Sequence, residues 1–255
     1  QLFYVTLNAK KPPLDNVDVR RAISYAFDYD AANKNIFLGA TQAVGPVPVL
    51  LPGHNDKTPV YKRNVAKAKE LLTKTGVKPG KLSYVYVQGL ESERRIGLLL
   101  QSNLREIGFE VEIQELPWAR IVESVGKPET AAHMVANFHT AKYPSPDSHT
   151  FLMFHPDAWG TYMSSSWYKN DQASKLMEQA RAQANADRAL ELYKQVQPIF
   201  ADEAAALFVS NPVHRIAHRD WVKGYVFVGI MGFDFAWYNY CLLYTSPSPR
   251  DRQKS

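Results

Sequence analysis

Hydrophobic and polar positions along this chain switch between a period of two and a period near 3.6, and the switches mark out its elements. Leu2–Leu7 alternates poorly but is rich in β-forming residues, which predicts a strand. Pro12 and Pro13 break it. Asp15 then reads as the N-cap of a helix with Val19, Ile23, Ala26 and Phe27 at helical spacing. Asp30 reads as the cap of a second short helix ending near Gly39. Asn64 caps a helix through Val65, Ala68 and Leu72 that closes at Gly76. Residues 82–87 predict a strand. Residues 91–107 predict a helix with Ile96, Leu99, Leu100, Leu104 and Ile107 on one face, stopped by Gly108. Residues 109–115 alternate cleanly, with Phe109, Val111 and Ile113 on one side and Glu110, Glu112 and Gln114 on the other. A short helix over 118–125 and a strand over 132–138 follow.

Strands alternating with helices predict βαβ units, right-handed crossovers and a mostly parallel sheet, an α/β fold. Beyond the loop at 140–149 come two helices. Asp171 reads as the cap of the first, which carries Ala173, Leu176, Met177 and Ala180. Asp187 reads as the cap of the second, which carries Ala189, Leu192, Tyr193, Val196, Ile199 and Phe200. Pro198 lies inside that second pattern and predicts a kink or break. A short strand at 207–209 follows, then strand and loop up to Tyr240. Residues 40–61 hold Pro46, Pro48, Pro52 and Pro59 with Gly45 and Gly53, a long irregular loop of the kind that serves as a functional segment or linker. No apolar run is long enough to predict a membrane span.

Of the 255 residues, 45% are hydrophobic and 22% charged, ordinary for a globular protein with a sizeable core. Gln1 opens directly on a strand, without signal-peptide features, so the chain is expected to begin mid-protein. Residues 241–255, CLLYTSPSPRDRQKS, lack periodicity, resemble translated sequencing-adapter read-through, and are expected to be a non-native or disordered tail. Setting them aside lowers the net charge from +5 to +3 and removes the only cysteine, Cys241. A body without cysteine excludes thiol catalysis and thiolate metal sites. It fits an oxidising compartment without disulfides as well as it fits the cytosol. The small, dispersed charge excess argues against nucleic acid as a partner.

No nucleophile elbow, P-loop or dinucleotide fingerprint is present. Glu110 and Glu112 lie on the polar side of an amphipathic strand and read as solvated surface. His133, His139, His149 and His155 cluster in sequence, and His214 and His218 are four apart. The last two lie in a segment read as strand or coil, where such spacing separates side chains, so no metal and no cofactor are expected. Trp118, Phe138, Tyr143, Trp159, Tyr162, Trp167 and Tyr168 crowd the later loops, as core or as pocket lining.

Three stretches in order then carry a resemblance. LNAKKPPLDNVDVRRAISYAFDYDA at 7–31 is similar to a strand, proline pair and "DVRVRQA" helix. AKYPSPDSHTFL at 141–152 resembles an "ADYPDPDNFL" loop. The third is the helix pair from Asp171 through ELYKQVQPIFADEAAALFV at 191–209, followed by WVKGYVF at 221–227. Together they resemble the family 5 solute-binding proteins of peptide, nickel and oligosaccharide ABC importers. The resemblance implies a periplasmic-binding-protein-like fold of type II and a two-lobed binding protein that is not an enzyme. It further implies a periplasmic or cell-surface location, closure on a small solute, and delivery to ABC permease subunits. The protein would be a monomer, meeting the membrane only through the transporter or an anchor. This chain matches the second half: 1–215 as the C-terminal lobe, 216–240 as a return segment toward the first lobe, and 241–255 as the tail.

The resemblance places the ligand-binding residues at Phe138, His139, Lys142, Tyr143 and Asp147. Peptide-binding members hold the ligand's α-ammonium with the acid of "ADY", and Lys142 occupies that position here. His139 stands where many members have tryptophan. Both departures suit a ligand with a carboxylate, phosphate or other acceptor, since like charges facing each other in a closed cleft are disfavoured. Lys142 pointing to solvent is the alternative. Asp147 matches the acid ending "YPDPD", with turn formation or capping as its other role. A hydrolase on a similar scaffold, using Asp147 and His149, and a non-transport sensory domain are the competing functions.

Overall fold

The computed structural model describes residues 1–213, 215–217, 219–220, 222–223 and 241–242. The elements run β1 (Leu2–Leu7), α1 (Val17–Ala26), α2 (Tyr29–Asn35), α3 (Val65–Thr75), β2 (Lys81–Val87), α4 (Glu91–Arg105) and β3 (Glu110–Leu116). Then come α5 (Trp118–Ser124), β4 (Met134–His139), α6 (Phe151–Phe154), α7 (Asp171–Arg181), α8 (Ala186–Asp202) and β5 (Ala206–Ser210). Five strands form one sheet in the order β3-β2-β4-β1-β5. β2 pairs in parallel with β3 and with β4, while β1 is antiparallel to both β4 and β5. Four of the five strands therefore point the same way, as the α/β alternation predicts, and β1 alone runs against them.

Side chains alternate across the strands into two layers. Phe3, Val5 and Leu7 of β1 join Leu82, Tyr84, Met134, Ala136, Leu207 and Val209 in a core that also takes Val19, Ile23, Leu72, Ile96 and Leu100 from helices. Leu2 and Tyr4 enter the opposite core with Phe154, Met177, Val196, Phe200 and Phe208. A smaller cluster of Val85, Ile121, Val125 and Val135 lies under α5. Every residue of β1 is buried, because the strand is internal and covered on both faces. Its weak alternation in sequence has that cause.

Four caps differ from the sequence reading. Asn16, not Asp15, caps α1; Asp28, not Asp30, caps α2; Asn170, not Asp171, caps α7; Asn185, not Asp187, caps α8. Each cap's side chain accepts a backbone N–H of the first turn, as Asp28 does from Ala31 at 2.8 Å. Asp30, Asp171 and Asp187 lie within the first turn, where an acid suits the positive end of the helix dipole. The α2 helix ends at Asn35, short of Gly39. Asn64 and Gly76 bound α3 as expected, with Gly76 left-handed at φ 67°.

Pro198 does not break α8, which runs through Ala186–Asp202. Proline has no N–H for the Lys194 carbonyl one turn earlier. The side-chain amide of Asn55 fills that place, donating to Lys194 O at 2.8 Å. Gln197 adds a second tie, giving Nε2 to Gly53 O at 2.7 Å. The proline-rich segment 40–61 is thus fastened to the helix at the gap the proline makes.

Val222–Lys223 pairs antiparallel with Cys241–Leu242. His214, His218 and most of 216–255 lie outside the described residues. Among the described residues, no helix is long and apolar enough to cross a membrane.

Candidate ligand-binding site

The carboxyl ends of β2, β3, β4 and β5 lie along one edge of the sheet, beside the start of β1: Leu2 pairs with His139, and Phe3 with Ser210. Crevices outside the carboxyl ends of strands are where open α/β sheets take ligands. Four connections rise from this edge: residues 88–90 after β2, Pro117 and Trp118 after β3, 140–149 after β4, and Asn211 after β5. Large apolar side chains are exposed there, Leu90 at 39% and Trp118 at 44%.

Sequence reasoning groups Phe138 with His139, but the period of two separates them. Phe138 turns into the layer of Phe3 and Phe37, its ring 4.8 Å from the first and 6.1 Å from the second. His139 points the other way and is buried. Its Nε2 donates to Ser148 O at 2.8 Å and lies 3.3 Å from Ser148 Oγ. Ser148 Oγ also accepts the Lys142 N–H at 2.9 Å, so His139 and Lys142 meet through the serine. Burial lowers the His139 pKa to about 4 and keeps the ring neutral. His149 packs edge-on against it at 4.4 Å, also buried and also held neutral by burial. Neither ring nitrogen of His149 makes a well-formed hydrogen bond.

Lys142 is half-buried and sets Nζ 5.6 Å from the centre of the Tyr162 ring. Tyr162 in turn meets Trp118 edge-to-face at 4.9 Å. The row Lys142, Tyr162, Trp118 joins the loops after β4 and β3 into one surface, cationic at one end and aromatic along its length. Trp118 and Tyr162 stand out in sequence only as members of an aromatic-rich region. Their contact spans 44 positions, and no local pattern reveals it.

Tyr143 and Asp147 are brought together: the Tyr143 hydroxyl donates to Asp147 Oδ2. Tyr143 remains 37% exposed, whereas Asp147 is only 6% exposed. The short 3-10 turn Pro146–His149 is capped by Ser145, whose side chain accepts the Asp147 N–H. Asp147 takes hydrogen bonds from Tyr143 and Tyr193, and His149 lies against His139, so the two residues of the hydrolase alternative are not joined as acid and base.

Among the described residues, His133 and His155 are also engaged by the protein. His133 contacts Ser83 Oγ at 2.9 Å and Pro12 O at 3.2 Å, and His155 contacts Glu178 at 3.3 Å while stacking on Phe151. Among the described residues, no three His, Cys, Asp or Glu side chains are grouped to hold a metal ion.

The sequence model for bacterial extracellular solute-binding proteins, family 5 (middle region) matches residues 1–161. The chain is 30% identical over 225 residues to the probable D,D-dipeptide-binding periplasmic protein DdpA of Escherichia coli (strain K12), covering 88% of this chain and 43% of that protein. It is 29% identical to the dipeptide-binding protein of the same organism, covering 88% and 42%. Among solved structures, it superposes on the periplasmic binding protein DppA of Helicobacter pylori, in complex with the peptide STSA, with a TM-score of 0.83. That match has 26% identity and covers 90% of this chain and 45% of that one. The Escherichia coli murein tripeptide binding protein MppA, at 20% identity and a TM-score of 0.77, shares the fold. The chain spans less than half the length of each of these relatives. With the family match running through β4 and the loop that follows it, the chain belongs to the bacterial extracellular solute-binding proteins of family 5.

Proposed function

We propose that this chain is one lobe of a two-lobed extracytoplasmic protein that binds a peptide-like solute and delivers it to the permease of an ABC importer. The observation that carries this reading is the edge at the strand carboxyl ends. There Lys142 of the loop after β4, Tyr162 of a later turn and Trp118 at the start of α5 come together as an aromatic surface with a cation, and Tyr143 stands exposed in the same loop as Lys142. Such a surface takes a small solute against apolar walls and orients it by few polar groups. The partner lobe supplies the opposing wall, and the ligand stabilises the closed arrangement. Relatives named for peptide binding favour peptides as the class, and those named as periplasmic support an extracytoplasmic location.

Lys142 narrows the ligand. A cation at this point repels a free α-ammonium and favours a carboxylate or another acceptor. The Phe138 ring backs the rim from the Phe3 side, while His139 shapes it from below through Ser148.

The test is calorimetric titration of the full-length protein with di- to tetrapeptides and their N-acetyl forms, with the peptide recovered afterwards. Saturable binding, peptide returned intact and no penalty for N-acetylation are expected. Progressive peptide cleavage would overturn the binding role in favour of hydrolysis. Tight binding that requires the free amine, unchanged in Lys142→Asp, would overturn the ligand assignment.

A further inference from the structure

Three segments converge on the carboxylate of Asp147. Tyr143, from the same loop, donates to Oδ2. Tyr193, from the middle of α8, donates to Oδ1 at 2.8 Å. Arg181, the last residue of α7, brings Nε to 3.5 Å from Oδ1, and its guanidinium lies 3.9 Å from the centre of the Phe151 ring. The carboxylate is buried and both of its oxygens are engaged by the protein. A buried carboxylate with donors on both oxygens asks nothing of a ligand. Tyr143 differs: its hydroxyl is tied inward while its ring stays substantially exposed at the rim.

We propose that Asp147 is a positioning residue, not a ligand contact: it fixes the Tyr143 ring at the rim and links that ring's placement to α7 and α8 through Arg181 and Tyr193. This rests on the solute-binding reading above. It makes ligand affinity answer to Tyr193, a residue of α8 only 4% exposed. Gly53 belongs to the same assembly. A Cβ there would lie 2.5 Å from Pro146 Cγ, so the 40–61 segment abuts the turn that carries Asp147.

The experiment is calorimetry on the full-length protein with trialanine and N-acetyl-trialanine, comparing Asp147→Asn, Tyr193→Phe, Tyr143→Phe and the double variant of Asp147→Asn with Tyr143→Phe. Asp147→Asn is expected to weaken both ligands equally, by about tenfold. Tyr193→Phe is expected to weaken both by less. In the Tyr143→Phe background, the further loss from Asp147→Asn should vanish. A loss confined to the free-amine peptide would make Asp147 a direct ligand contact and overturn the proposal. A loss that persists undiminished without the Tyr143 hydroxyl would leave Asp147 a structural residue only, and overturn it as well. If neither peptide binds, the solute-binding reading falls separately. Positioning is then read from the ring resonances of 13C-labelled tyrosine: a shifted Tyr143 signal in Tyr193→Phe supports it, and an unmoved one overturns it.

Discussion

Arg20 on α1 donates from Nε and Nη2 to the carbonyl of Glu203, 183 residues further along, at 3.2 and 3.0 Å. Its Nη1 donates to Leu14 O at 2.9 Å, so one buried guanidinium joins the turn before α1 to the end of α8. The cation stands at the negative end of the α8 dipole, where it stabilises carbonyls that have no partner within the helix. Neighbouring Arg21 holds Asp202 at 2.6 Å.

Replacing Arg20 by lysine keeps the charge but cannot keep the planar fork of donors. Arg20→Lys is expected to lower the unfolding free energy by about 2 kcal/mol, and Arg20→Ala by more. Urea denaturation checks both values, and an unchanged midpoint for the lysine variant would refute the clip.

The bond from Asn55 to Lys194 exists because Pro198 cannot make it. Asn55→Ala is expected to cost about 1 kcal/mol in the natural background. In a Pro198→Ala background, where residue 198 regains its N–H, the same change should cost much less. A double-mutant cycle in urea measures the coupling.

Gly97 on α4 faces the Tyr84 ring, and a Cβ there would lie 2.6 Å from Cε1. The ring cannot swing aside freely, because the Tyr84 hydroxyl donates to Glu93 O at 2.7 Å. Alanine favours a helix by about 1 kcal/mol over glycine, yet overpacking costs roughly 1–3 kcal/mol. Gly97→Ala should therefore destabilise, and a raised melting temperature would contradict the close packing.

Titrations of opposite sign, two histidines against one glutamate, shape the pH dependence. His139, its pKa lowered to about 4 by burial, contributes stability that is present above its unfolded value near 6.5 and is lost as pH falls toward 4; His149 acts in the same direction. Glu93 is buried at the start of α4, accepting the Val87 N–H at 2.9 Å. Burial raises its pKa to about 7, against the weaker opposing pull of that N–H. Its contribution is full below about 4.5 and declines as pH rises toward 7. Glu93→Gln should match the parent below pH 4.5 and exceed it above pH 7, by an amount on the order of 2–3 kcal/mol. Urea melts at several pH values test this, and equal curves at pH 8 would exclude a strained carboxylate.

Trp118→Ala removes a side chain that is nearly half exposed and rests on Tyr162. The full-length protein should lose about tenfold in peptide affinity while its unfolding midpoint hardly moves. A large drop in stability with unchanged affinity would place the ring in the fold and not in the site.

The elements were legible where local rules act alone. The α3 helix, bounded by Asn64 and Gly76, and the alternation of Val111 and Ile113 needed nothing from distant residues. The caps slipped because acids just inside a helix and amides just outside it both favour the start, and the sequence alone does not rank Asn185 above Asp187. Pro198 misled because its compensation comes from Asn55, far away in sequence. Tyr143 and Asp147 were legible as a loop motif but not as a bonded pair. His139 read as a rim residue although it faces inward, because nothing local says which face of an internal strand ends in solvent.

The placement of β1 has a consequence for biosynthesis. It is made well before its two neighbours, β4 (Met134–His139) and β5 (Ala206–Ser210). A nascent chain must carry LFYVTL with both edges bare until β4 emerges and with one edge bare until β5 does, some tens of seconds at roughly 5–20 residues per second. A six-residue run of β-formers without charge is prone to pair with other chains during that interval. The ribosome-bound chain is therefore most in need of a chaperone for this hexapeptide before β5 appears.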